Sequence, residues 1–258
     1  LIVDLPNMSD LNTTPSLQVH VSSKQILAIS LPIGLAILVP QINFIINSIF
    51  LGSLSSQALA IAGITGVYYL IFGVMGQGLN NGLQALISRR AGENRIDEIG
   101  VLFTQGVLIS ILLSIIGIAF TYFIAPYIFH SLLHDIVRAE IVIEFLKIRI
   151  WGLPFLFVYQ MRNALLVGTN QSKYLIIGTA TEAIVNIFFD YALIFGHFGF
   201  APMGIMGAAY ASIIAEALGL LVIYLVIHYQ KIGARFDLFK SWSIKTDFIK
   251  LILKQSSP

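Results

Sequence analysis

GIMGAAYASIIAEALGLLVIYLVIH, residues 204–228, carries one charged side chain, Glu216, in a run of apolar and small residues. The run is too long for a strand and lacks the alternation of a membrane β-barrel. It exceeds the roughly 20 residues that a helix needs to cross the hydrocarbon core. In lipid only a helix satisfies every backbone donor and acceptor within one segment. Five further stretches read the same way: 26–51, 58–80, 100–129, 148–168 and 174–195. The composition agrees, with 57% hydrophobic and only 11% charged residues, against about 25% charged in soluble domains. The expected fold is an all-α membrane protein whose six transmembrane helices form one bundle in a lipid bilayer.

Lysine and arginine set the orientation. With a cytoplasmic N-terminus, the inner loops hold Arg89, Arg90, Arg95, Lys173, Lys231, Arg235, Lys240, Lys245 and Lys250, while the first and third outer loops hold none. Only the middle outer segment, with Arg138, Lys147 and Arg149, dissents. This predicts a multi-pass cell-membrane protein, of the inner membrane in a bacterium. Residues 1–23 lack the pattern of a signal peptide and read as a mobile cytoplasmic tail. The absence of cysteine excludes disulfides, thiolate metal sites and cysteine nucleophiles. The net charge of +2 reflects loop asymmetry and gives no argument for nucleic acid.

The six helices occupy residues 24–229, followed at 230–248 by a linker whose interleaved aromatic and basic residues suit a lipid headgroup region. The last seven residues, ILKQSSP, share Ile, Leu, Ser and Pro in register with ILAISLP at 26–32, which opens the first helix. A repeat beginning there makes 249–258 the start of a second lobe. An even number of helices per repeat gives both lobes the same orientation.

Four charged residues fall at membrane depth: Arg162, Glu182, Asp190 and Glu216. Each costs at least about 2.5 kcal/mol on insertion scales, so each is expected to face a cavity or a partner. Glu182, Asn186 and Asp190 follow one another at intervals of four and share a face of the fifth helix. Ser212 and Glu216 repeat the spacing on the sixth, and Asn43 and Asn47 on the first. Together they can line one wet pocket. Amides alone would suffice as interhelical glue. A carboxylate among Phe188, Phe189 and Phe195 is instead a group that can take and release a proton.

His130 and His134 stand four apart, a spacing that lets two histidines share a metal on a helix. The acid of an HExxH site is missing, and Ser131 and Leu133 fill the interval. A membrane-embedded metalloenzyme is therefore the lesser reading; no metal site and no enzymatic activity are expected.

NSIFLG at the end of the first helix, GLQALISRRAGENR after the second, RIWGLPF in the fourth, NIFFDYALIFG in the fifth and MGIMGAAYAS opening the sixth occur in an order that resembles the multidrug and toxic compound extrusion (MATE) family. The resemblance extends over about residues 24–258. It implies a twelve-helix transporter of two six-helix lobes, of which this chain supplies the first. It also implies secondary active antiport, exporting lipophilic, often cationic compounds in exchange for H⁺ or Na⁺, with no cofactor beyond that coupling ion. Many relatives form a cation pocket from an Asp on helix one, an Asn and an Asp on helix five and a hydroxyl on helix six. Asn186 and Asp190 match the helix-five pair and Ser212 the hydroxyl, whereas Asn47 stands where the family has its Asp. Glu182 and Glu216 are candidates for the missing charge, with Asn43 and Arg162 as further cavity residues. A lipid-linked oligosaccharide flippase of similar architecture is the neighbouring alternative, and would need a more cationic cavity than Arg162 alone provides.

Overall fold

The computed structural model describes residues 23–239 and 242–256. The expected N-terminal tail lies almost entirely outside them. All regular structure among the described residues is helical. The first span is α1 (Ser23–Leu54), the second α2 (Ser56–Gly92) and the third α3 (Ile96–Phe123). A short α4 (Ala125–Leu132) leads to α5 (Ile136–Arg149) and α6 (Leu153–Gly168), which together make the fourth span. The fifth and sixth are α7 (Leu175–Phe195) and α8 (Ile205–Tyr229); α9 (Ile232–Arg235) and α10 (Thr246–Ser256) follow. Among the described residues, four stretches are long and apolar enough to cross a membrane unbroken, Ser56–Gly92, Ile96–Phe123, Ser172–Phe195 and Ile205–Tyr229.

Local chemistry sets the boundaries. Ser55 caps α2, its Oγ accepting from the Ala58 N–H at 2.9 Å, and Asp135 caps α5 by accepting from the Arg138 N–H at 3.2 Å. Gly196 ends α7 in the left-handed region at φ 79°, where a side chain would be strained. At the α2–α3 turn Glu93 bonds Arg89 and Arg90, and these bonds, Arg89 first, hold its carboxyl below the usual carboxylate range.

Two expected spans are corrected. The third, read as 100–129, stops at Phe123, because Pro126 suits only the first turn of a new helix, α4. The fourth, read as beginning at residue 148, starts at Ile136. Ala139, Val142, Ile143 and Leu146 form a buried stripe along α5, and a 3₁₀ turn over Ile150–Gly152 links it to α6. Pro154 lies in the first turn of α6 and withholds a backbone N–H at this joint.

The core lies between α2, α3 and α6, around Leu83, Ile87, Phe103, Met161 and Leu165. α7 packs along α8; a Cβ on Gly207 would come within 2.7 Å of the Leu193 backbone, so this approach needs a glycine. The outer faces of α1 and α2 leave Phe44, Ile45, Ile49, Val67, Leu70 and Val74 exposed, an apolar surface suited to lipid or to another membrane segment. The linker is more embedded than an interfacial segment need be. Phe236 is fully buried, and the Gln105 side chain donates to the Ser243 carbonyl and accepts from the Lys245 N–H, both at 3.0 Å. Trp242 stays exposed. α10 lies against α2 and α3, where any Cβ on Gly82 would overlap Ser256.

Candidate functional site

The four-residue spacing on α7 places Asn186 and Asp190 on its buried face, 3% and 0% exposed. α1 and α7 are the first and fifth spans of an alternating bundle and so run in the same direction. The Asn43 and Asn186 amides meet at 2.8 Å. One helical step of four residues carries each chain about 6 Å further, which brings Asn47 and Asp190 to a common level. From α8, Ser212 Oγ lies 3.5 Å from the Asn186 side-chain amide. In the amide orientation that satisfies both ends, Asn186 donates to Asp190 Oδ2 at 3.3 Å while its oxygen accepts from the Ser212 N–H at 3.2 Å. The contacts thus gather Asn43, Asn186, Asp190 and Ser212 between α1, α7 and α8, with Asn47 one helical step beyond Asn43 on α1.

Two acceptors in this group have no donor. Asp190 Oδ1 and Asn47 Oδ1 are both buried without a hydrogen-bond partner among the described residues. An unmet acceptor costs about 1–3 kcal/mol, more when charged. A bound proton or a small hard cation would satisfy oxygen acceptors that face no N–H or O–H.

The second carboxylate at depth is held differently. Glu216, 6% exposed, receives both terminal nitrogens of Arg149, at 2.5 Å to Oε1 and 3.0 Å to Oε2. Arg149 Nη1 also donates to Tyr69 Oη at 2.9 Å, and the guanidinium lies 3.8 Å from the Tyr69 ring centroid. The cluster joins α2, α5 and α8 at the α5–α6 joint. Gly152 makes room for it, because a Cβ there would overlap both Glu216 and Arg149. Arg149, grouped with the outer loop on sequence, is therefore an internal counter-ion, and Glu216 is committed to it.

Glu182 is half-buried on α7, packed where Gly219 lets α8 approach, and forms no ion pair among the described residues. It lies within electrostatic reach of Glu216 and Arg149, and Asp190 also lies in the field of Arg149. Arg162 is not part of this group; it bonds the Leu220 carbonyl at 3.3 Å and faces a separate cavity.

Sequence reasoning missed Arg149 and Tyr69. The signal for Arg149 was the apolar stripe 139–142–143–146, which carries the helix up to it. Tyr69 gave none, being one of several aromatics on α2. The two histidines are parted, because α4 ends at Leu132 and leaves His134 beyond it, while His130 bonds Glu140 at 2.8 Å. Among the described residues no three His, Cys, Asp or Glu side chains converge as metal ligands.

The profile of the MatE family matches residues 32–192. A probable multidrug resistance protein NorM of Synechocystis is 25% identical over 91% of this chain and 50% of its own length. Another, of Halalkalibacterium halodurans, is 30% identical over 81% of this chain and 47% of its own. A solved MOP superfamily transporter from Pyrococcus furiosus superposes with a TM-score of 0.84 at 20% identity, over 95% of this chain and 54% of that one. The chain spans about half the length of the curated relatives it matches. With the family profile covering most of its length and the six-span fold matching one lobe of a known transporter, this chain belongs to the MatE family of membrane transporters.

Proposed function

We propose that the chain is the ion-coupling lobe of a secondary active multidrug antiporter, acting with a second six-helix lobe as a carrier rather than an enzyme. Its substrates are lipophilic, often cationic compounds, exported in exchange for H⁺ or Na⁺. The observation that carries this is the fully buried Asp190 carboxylate, whose Oδ1 has no hydrogen-bond donor and which makes no ion pair among the described residues. A proton on Oδ1 would neutralise it. Na⁺ would instead draw on the oxygens of Asp190, Asn47, Asn186 and Ser212, and with Asn47 in place of an acid one monovalent ion balances the pocket.

The ion drives transport only through its different affinity for the outward- and inward-facing states. In this mechanism the outward state loads Asp190, the altered charge and helix packing release substrate outside, and the inward state discharges the ion. A cytoplasmic N-terminus suits this cycle. With Arg149 inside the bundle, the outer segment keeps only Arg138 and Lys147 as basic residues, which sharpens the charge asymmetry.

The test is export of a fluorescent cationic dye by the protein made from the uninterrupted reading frame, reconstituted in vesicles under separately imposed pH and Na⁺ gradients. One gradient should drive export, and Asp190→Asn should abolish it. Equal gradient-driven export by the variant would remove Asp190 as the coupling site.

A further inference from the structure

A cavity of about 700 Å³ opens at the end of the bundle where α6 and α8 finish, away from the Asp190 pocket. Phe103 and Tyr224 wall it, Arg162 lies in its depth, and His228, Lys231 and Asp237 stand at its exposed rim. Arg162 is only 8% exposed and incompletely satisfied. Its Nη1 donates to the Leu220 carbonyl at 3.3 Å and its guanidinium lies 5.0 Å from the Tyr224 ring centroid, while Nε is buried with no acceptor. A carbonyl and a ring face supply partial negative charge, but among the described residues no counter-ion pairs with Arg162. A charge held at this depth calls for one.

The depth indicates which anion. Arg162 stands six residues before the end of α6 at Gly168, roughly 9 Å along the helix axis. Tyr229, 77% exposed, marks the aromatic belt at the end of α8. The guanidinium therefore sits just below headgroup level, with Lys231 and His228 nearer the water. Asp237 offsets one charge and leaves the cavity net basic. The same end of the bundle carries Arg89, Arg90, Arg95 and Lys173, so it faces the leaflet where anionic lipids concentrate.

We propose that this cavity is a binding site for a phosphate group, supplied by the phosphodiester of an anionic phospholipid. The unpaired Nε–H and the remaining guanidinium donors suit phosphate oxygens, Lys231 adds a second positive charge, and Phe103 and Tyr224 offer an apolar wall to the upper acyl chain. A free phosphate shares the headgroup chemistry but has no use for that wall.

The test uses detergent-purified protein from the uninterrupted reading frame, titrated with short-chain phosphatidylglycerol, short-chain phosphatidylcholine and inorganic phosphate, and read by native mass spectrometry and thermal melting. Phosphatidylglycerol should bind at least about tenfold more tightly than phosphatidylcholine. Arg162→Gln should weaken its binding by about tenfold, and Lys231→Gln, on the exposed rim where folding is not at risk, severalfold. Lys173→Gln, at the same end but outside the cavity, should change nothing. Equal binding of the two lipids, or phosphatidylglycerol binding unchanged in Lys231→Gln and in a folded Arg162→Gln, would overturn the site. Stabilisation by inorganic phosphate that is lost in both cavity variants, without lipid binding, would keep the phosphate site and overturn its lipid source.

Discussion

Asp190 and Glu216 are both buried carboxylates on the two helices that pack along each other, yet among the described residues Glu216 alone is ion-paired. Glu216 is gripped by Arg149 and Tyr69, so its charge is balanced within the protein. Asp190 has the Asn186 amide beside Oδ2 and, among the described residues, no partner on Oδ1. A balanced pair at depth ties helices together, whereas an unbalanced acid waits for a charge from outside. Two acids of one chemical type thus differ in pairing because of a single arginine on a third helix, and under the proposed function they take opposite roles.

Neutralising each acid in turn is the sharpest way to break this comparison. Asp190→Asn should reduce gradient-driven export to the level of protein-free vesicles while keeping the melting temperature near or above the parent's, since no buried partner is stranded. Glu216→Gln should do the reverse. Leaving the Arg149 charge buried should cost about 3–5 kcal/mol, visible as a large drop in melting temperature followed by Trp151 fluorescence. Equal losses of stability in the two variants would erase the distinction.

The pair itself can then be removed as a unit. Arg149→Met with Glu216→Leu should recover most of the stability that Glu216→Gln loses, because no unpaired charge remains. Gly152→Ala should cost about 1–3 kcal/mol by forcing the ion pair apart, measured by the same melt and absent in the double variant. The smallest effect belongs to the pocket's edge. Ser212→Ala removes one oxygen and should weaken apparent Na⁺ affinity by about fivefold if Na⁺ couples, a shift of about 1 kcal/mol, and change little if the proton does.

Much of the fold was legible because lipid leaves so few options. The run at 204–228 became α8 with its ends displaced by one residue, and 174–195 became α7. The misread boundaries share a cause: hydropathy marks where a helix is apolar, not where it begins or kinks. α5 carries charged residues on its exposed side and so fell below the signal, although its buried stripe continues the fourth span outward. In the pocket, four-residue spacing was enough to put Asn186 and Asp190 on one face, since that follows from the helical repeat alone.

By itself, then, the sequence determined that the chain is a bundle of membrane helices, which residues share a face, and where an acid stands in an apolar run. These follow from composition and local periodicity. Only the tertiary structure decided which acid is paired, that Arg149 belongs to the interior, that Asn43 meets Asn186 across 143 positions of chain, and that Arg162 faces a cavity of its own. Whether a charge is balanced depends on what stands opposite it on another helix, and the spacing of residues along one helix carries no information about that.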